Sequence, residues 1–175
     1  MAAAPQMTPL EVYLSTSFEP DAEYANGVIE ERPIGEWNHA DWQAAILEFF
    51  RSRRAAWNIR AAAELRVQVA PNQFRVPDVT VLDRNRPIEQ IITHPPIAVF
   101  EILSPEDTIA RMMTKLAEYE KMGIQTILLL DPGKDPEGRH FRYVNSCLQT
   151  LTETAFDLPG SACRFDLSEI EKLLD

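Results

Sequence analysis

An α/β domain with a mixed central β-sheet flanked by helices is predicted by three observations. Two apolar runs, 97–103 (Ile-Ala-Val-Phe-Glu-Ile-Leu) and 124–130 (Ile-Gln-Thr-Ile-Leu-Leu-Leu), are continuous enough to be strands covered on both faces. Between them, Ile109, Met112, Met113, Leu116 and Tyr119 recur at helical spacing, so a helix joins the two strands. Leu65, Val67 and Val69 alternate with Arg66 and Gln68, as a half-buried strand does. With 175 residues and 45% hydrophobic content, the chain can bury one core, and one domain over 1–175 is expected.

Taken in chain order, Thr8-Pro9-Leu10-Glu11 starts a short helix, with a cap, proline at the first helical position and an acidic first turn. Tyr24 to Ile29 enters a hairpin whose turn is Asn26-Gly27, a pair that tolerates positive φ. From Asn38 to Trp57 the residues Trp42, Ile46, Phe49, Phe50 and Trp57 form the apolar stripe of an amphipathic helix that covers a sheet. The sheet is expected to begin at Leu65. It turns at Pro71-Asn72-Gln73 and returns over Phe74 to Leu82, with a bulge, edge or strand end forced at Pro77, which has no N–H for the ladder. Ser104-Pro105-Glu106-Asp107 reads as the start of the next helix, and Gly123 as its stop. Short strands over about 140–146 and 149–154, then a terminal helix from Asp166, complete the pattern.

The formal charge of -10 argues against a general nucleic-acid coat, because non-specific binding to phosphate is driven by Lys and Arg. Local charge differs. Between Arg51 and Arg75 six arginines (Arg51, Arg53, Arg54, Arg60, Arg66, Arg75) face Glu64 alone, giving 6 - 1 = +5, either a basic strip for phosphate or a solvated helix face. Cys147 and Cys163 are too few for a zinc site or a disulfide framework. The start Met1-Ala2-Ala3-Ala4-Pro5 lacks the charged segment and apolar run of a signal peptide, and no stretch approaches a membrane span. A cytoplasmic protein with no membrane partner is the expectation.

Chemistry points to Glu101, an ionisable residue in the middle of an apolar strand, where burial is costly unless a cation or hydrogen bonds compensate it. Asp78, after Pro77, lies on a strand that leads into a loop, and Glu101 is near the end of the next strand. Adjacent strands lie about 4.8 Å apart, so two inward carboxylates at matching heights can share a divalent ion. The alternative for Glu101 is a structural ion pair with an arginine. Lys115, one of four lysines, falls about 60° from Met112 and about 40° from Tyr119 around its helix, at the edge of the apolar stripe. From there it either reaches the strand ends or snorkels at the surface. A two-carboxylate metal site beside a lysine suggests phosphodiester hydrolysis.

Pro77-Asp78, then Glu101-Ile102-Leu103-Ser104-Pro105, Lys115 with Tyr119 and Gly123, and Leu130-Asp131-Pro132 closely resemble the Uma-type family of restriction endonucleases in the PD-(D/E)XK nuclease superfamily. Glu23-Tyr24-Ala25-Asn26-Gly27 resembles that family's N-terminal Glu-x-x-x-Gly segment, and Glu36-Trp37-Asn38-His39 its His-bearing lead into the first long helix. The likeness spans about residues 8 to 145. It implies a restriction-endonuclease-like fold, Asp78 and Glu101 as ligands of Mg²⁺ or a substitute Mn²⁺, and a lysine moved from strand to helix. Leu103 stands where the superfamily signature has lysine, so activity depends on Lys115 reaching the site. Glu23 offers a further carboxylate, Glu36 and His39 weaker candidates, and His94 and His140 have no usable partner spacing.

The leading expectation is thus a Mg²⁺-dependent DNA endonuclease with Asp78, Glu101, Lys115 and Glu23 in its site, Arg51, Arg53, Arg54 and Arg75 as phosphate contacts, and a homodimer for cutting two strands. A catalytically silent protein-interaction module on the nuclease fold is the alternative, motivated by the acidic surface and the missing strand lysine. A two-carboxylate glycoside hydrolase ranks third, because no aromatic-lined sugar cleft is evident.

Overall fold

The computed structural model describes residues 7–19, 21–32, 35–133 and 140–175. Met1 to Pro5, read above for a leader, lie outside them.

Two sheets carry the structure. The hairpin β1 (Ala22–Ala25) and β2 (Val28–Glu31) closes through Asn26 and Gly27, both at positive φ (49° and 92°), which matches the right-handed twist of its strands. It pairs with β5 (Gln73–Arg75), and β5 with β4 (Val67–Ala70), in a four-stranded antiparallel sheet ordered β2-β1-β5-β4. The helix α1 (Leu10–Ser15) lays Tyr13 against Tyr24 and Phe74 of this sheet.

The larger sheet contains β3 (Ile59–Ala63), β6 (Val79–Asp83), β7 (Ala98–Ile102), β8 (Thr126–Leu130), β9 (His140–Val144) and β10 (Cys147–Thr150), in the order β10-β9-β8-β7-β6-β3. Only β7 and β8 run parallel, since the helix α4 (Ile109–Met122) crosses between them, and the sheet is mixed as expected. Alternation sends Phe100, Ile102, Leu128 and Leu130 to one face and Val99, Ile127 and Leu129 to the other. The first face is covered by α2 (Trp37–Ser52) through Trp42, Ile46, Phe49 and Phe50. It is extended by Phe156 and Phe165 of the pair β11 (Ala155–Asp157) and β12 (Arg164–Asp166), and by Ile170 of α5 (Leu167–Glu171). The second face is covered by Met112, Leu116 and Tyr119 of α4. Burial of each such side chain contributes roughly 1.5–3 kcal/mol, so helices on both faces hold a sheet whose strands could not stay solvated.

Four expectations need correction. The strand expected over 74–82 is two strands in two sheets, because Pro77 interrupts the ladder and the chain passes from β5 into β6 there. Consequently β4 and β5 belong to the smaller sheet, and the strand expected from Leu65 begins at Val67. The helix expected at Ser104 begins at Ile109, capped by the Thr108 hydroxyl, which accepts from Arg111 N–H at 3.3 Å; Ser104 to Asp107 forms a turn instead, its Ser104 N–H bonded to the Asp107 carboxylate at 2.8 Å. The long helix over 38–57 divides at Arg53, whose N–H takes the Phe50 carbonyl at i−3, and a short α3 (Arg54–Trp57) ends at left-handed Asn58. The strand β3 was not anticipated, since Ala61-Ala62-Ala63 favours helix; pairing with β6 overrides that preference.

Candidate active site

The site forms where the two sheets meet. The antiparallel register Val79↔Phe100, carried one residue further, sets Asp78 opposite Glu101, and both are 2% exposed. Asp78 Oδ2 accepts the Ile102 N–H at 2.7 Å. Its Oδ1 faces the Arg32 guanidinium, which donates to it, and His39 Nε2 at 3.3 Å. The helix α2 therefore contributes its first turns, with Gln43 Nε2 donating to the Asp78 carbonyl at 3.0 Å.

Glu101 belongs to the face of β7 that meets α4. Lys115 and Tyr119, four residues apart and so stacked on one side of that helix, take one oxygen each: Lys115 Nζ lies 2.8 Å from Oε2 and the Tyr119 hydroxyl donates to Oε1 at 2.6 Å. Lys115 also stands 2.9 Å from Glu23 Oε1 on β1, linking both sheets through one ammonium. Glu23 is fully buried, accepts the Val76 N–H at 3.1 Å, and is paired with Arg75 Nη1 at 3.0 Å. Arg75 binds Glu30 at 2.6 Å and Glu118 at 2.6 and 3.2 Å as well.

Charges here are tuned by burial and by each other. Burial pushes the Glu101 carboxyl up, and repulsion from Asp78 and Glu23 adds to this against the pull of Lys115, bringing it to about 7. Glu23 is desolvated too, yet Lys115 and Arg75 outweigh burial and hold it below the usual range. Asp78 is likewise held low despite burial, by the bond from His39 and the Arg32 charge. Lys115 is raised, because Glu101 and Glu23 more than offset its desolvation. Lys115 and Glu101, although paired, both shift upward; one ammonium serves two carboxylates, and Glu23 has Arg75 besides, whereas Glu101 shares it while facing Asp78 and Glu23. Glu101 is the least compensated acid of the group.

Arg32, His39, Asp78, Glu101 and Lys115 line a cleft of about 20 Å³, room for one water. Among the described residues no group of three or more His, Cys, Asp or Glu is arranged to hold a metal. The two hard oxygen donors, Asp78 and Glu101, both lining the cleft, do fit Mg²⁺, which is commonly held by one or two carboxylates and completed by water and phosphate.

Asp78, Glu101, Lys115, Glu23 and His39 are thus brought together. Glu36 is exposed beside the N-terminus of α2 without a side-chain capping bond. Arg51 and Arg53 lie about 18–21 Å along α2 from His39 at 1.5 Å per residue, tied to the Ala61 and Phe49 carbonyls, and Arg54 follows beyond them. Arg75 is 3% exposed inside its acidic shell, so its guanidinium is not a surface phosphate contact. His94 pairs with Glu89, and His140 packs on Trp42; neither lines the cleft. Sequence reasoning missed Arg32, for which no signal existed, and Tyr119 as the partner of Glu101, which its i+4 spacing from Lys115 signalled.

No helix among the described residues is long and apolar enough to cross a membrane. No curated protein matches the chain. A solved structure of a putative nuclease belonging to DUF820 from Anabaena variabilis ATCC 29413 superposes with a TM-score of 0.79 at 23% identity, covering 98% of this chain and 100% of that one, a likeness of fold. The model of the Uma2 family, described as putative restriction endonuclease, matches residues 10–153, which covers both sheets and every residue of the cleft, and the chain belongs to that family.

Proposed function

We propose that this protein is a metal-dependent endonuclease that hydrolyses phosphodiester bonds in DNA. The observation that carries the reading is that Asp78 and Glu101 line one cleft with an ammonium, Lys115, which the crossover helix delivers 2.8 Å from Glu101 in place of the signature lysine. Family membership supports a nuclease in general. Asp78 and Glu101 would hold Mg²⁺, which when bound lowers the pKa of a coordinated water and stabilises charge gathering on the phosphate. Lys115, whose proton is held firmly by Glu101 and Glu23, acts as a donor that orients the water or neutralises the phosphoryl oxygens and not as a base. Tyr119 fixes one Glu101 oxygen, and the Ile102 N–H fixes one Asp78 oxygen.

Purified protein is incubated with supercoiled plasmid and with single-stranded DNA in Mg²⁺, Mn²⁺ or chelator, beside Asp78→Asn and Glu101→Gln. Cleavage that needs metal and disappears in both variants is expected. Full metal-dependent cleavage by Asp78→Asn, after contaminating nucleases are excluded, overturns the assignment. A homodimer, each copy cutting one strand, belongs to the same proposal and is checked by light scattering.

One observation favours a second reading, a silent interaction module on the same fold: the Arg32 guanidinium sits on the Asp78 oxygen that an ion would use. Mn²⁺ binding by the wild type separates the two, because a silent site would bind none.

A further inference from the structure

Arg32 follows β2 and enters the cleft with a side chain only 11% exposed. One guanidinium nitrogen donates to Asp78 Oδ1 and the other stands 3.4 Å from Glu64 Oε1. Glu64 is itself unusual. It has φ 54°, a left-handed conformation that a non-glycine residue adopts at a cost, and its N–H lies 3.4 Å from the Asp78 carbonyl. Strained backbone thus seats a half-exposed carboxylate beside Asp78, at the far side of the same guanidinium. A neutral side chain would satisfy Asp78 less well: three buried carboxylates, Glu23, Asp78 and Glu101, crowd this region, and Lys115 serves only two of them. An arginine cannot give up its charge by losing a proton, so it yields its place only by moving. Its long stem and its second anchor allow that.

We propose that Arg32 is the site's resident counter-cation, exchanging with the divalent ion at Asp78 Oδ1 and retreating onto Glu64 when the ion binds. The proposal rests on the metal-dependent reading above and adds the residue that sets metal affinity. Its physical content is competition: the ion meets an Asp78 oxygen that is free only for the fraction of time Arg32 is away, and its apparent affinity falls by that fraction.

The test is Mn²⁺ affinity, read without DNA by electron paramagnetic resonance of the free ion, for wild type, Arg32→Met, Glu64→Gln and the double variant. Arg32→Met is expected to bind about tenfold more tightly, its competitor gone. Glu64→Gln is expected to bind more weakly than wild type, because the displaced guanidinium has lost its second anchor, and to change nothing in the Arg32→Met background, where no guanidinium needs one. Should Arg32→Met fail to fold, Arg32→Lys carries the test: an ammonium cannot span both carboxylates as a planar fork does, so binding still tightens. Equal or weaker Mn²⁺ binding in the Arg32 variants overturns the exchange, as does an equal Glu64→Gln effect in both backgrounds. Absence of Mn²⁺ binding from all four proteins removes the metal-dependent reading itself, which keeps the two failures apart.

Discussion

Two buried guanidinium clusters lie within one site, and they differ in what they leave unsatisfied. Around Arg75, Glu23, Glu30 and Glu118 occupy Nη1, Nε and Nη2, and the arginine is raised further above its ordinary value despite burial. Around Arg32, contacts go to Asp78 and an exposed Glu64, the cleft opens alongside, and neighbouring Glu101 is pushed up to about 7. The first cluster is closed in its pairing, each guanidinium nitrogen facing a carboxylate, and joins β5 to β1, β2 and α4, although a groove lined by Glu30, Arg75 and Arg111 runs beside it. The second has negative charge to spare, which suits a centre that receives a cation. The first ties elements together and the second flanks the cleft, although Lys115 touches both through Glu23 and Glu101.

The largest expected effect comes from breaking the closed cluster. Arg75→Met takes the cation from Glu30 and Glu118, leaves buried Glu23 with Lys115 alone, and is expected to destabilise the fold by about 3–5 kcal/mol in urea unfolding. Arg32→Met should cost less, because Asp78 retains His39 and the Ile102 N–H. Equal losses would erase the distinction. Next, Lys115→Met cuts the link between the clusters and is expected to slow DNA cleavage by about 10²–10³-fold, the scale for losing a donor at developing negative charge. Cleavage at the wild-type rate would confine Lys115 to the structural side. The smallest effect is a pH dependence. Glu23 lies below its ordinary value in the fold, so its contribution is complete above the unfolded value near 4.5 and is lost as pH falls toward the lower folded one. Glu23→Gln should therefore be less stable at neutral pH and show a flatter acid limb; parallel limbs in wild type and variant would take Glu23 out of the ionised set.

Much of this was legible beforehand, and the reasons are specific. The strand pair 97–103 and 124–130 announced itself by apolar continuity, and Glu101 by interrupting it. Lys115 was legible from helical phase, because 100° per residue fixes which face it occupies whatever the exact helix start. Helix starts were not: Ser104-Pro105 satisfies every local rule for a cap, yet Thr108 holds that position, since the Asp107 carboxylate closes a turn on Ser104 first. The basic window 51–75 misled, because linear charge counts ignore that α2 carries its arginines away from the cleft while Arg75 is inward on a strand of another sheet. Arg32 was beyond reach of pattern: it meets Asp78 across 46 residues, and only the docking of the two sheets brings them together.

Because the chain passes at Pro77 from one sheet to the other, the cleft is assembled only when both sheets have formed and docked. Arg75 is on the last strand of the smaller sheet and Asp78 at the threshold of the larger, with Glu23 reached only from the N-terminal hairpin, 52 residues away from its partner Arg75. Contacts of such sequence separation form late, after loop-closure entropy has been overcome. Nascent or partly unfolded copies, in which either sheet has formed alone, hold Glu23 and Arg75 apart from Asp78 and Glu101. The cleft is thus a property of the completely folded chain and of no shorter piece of it.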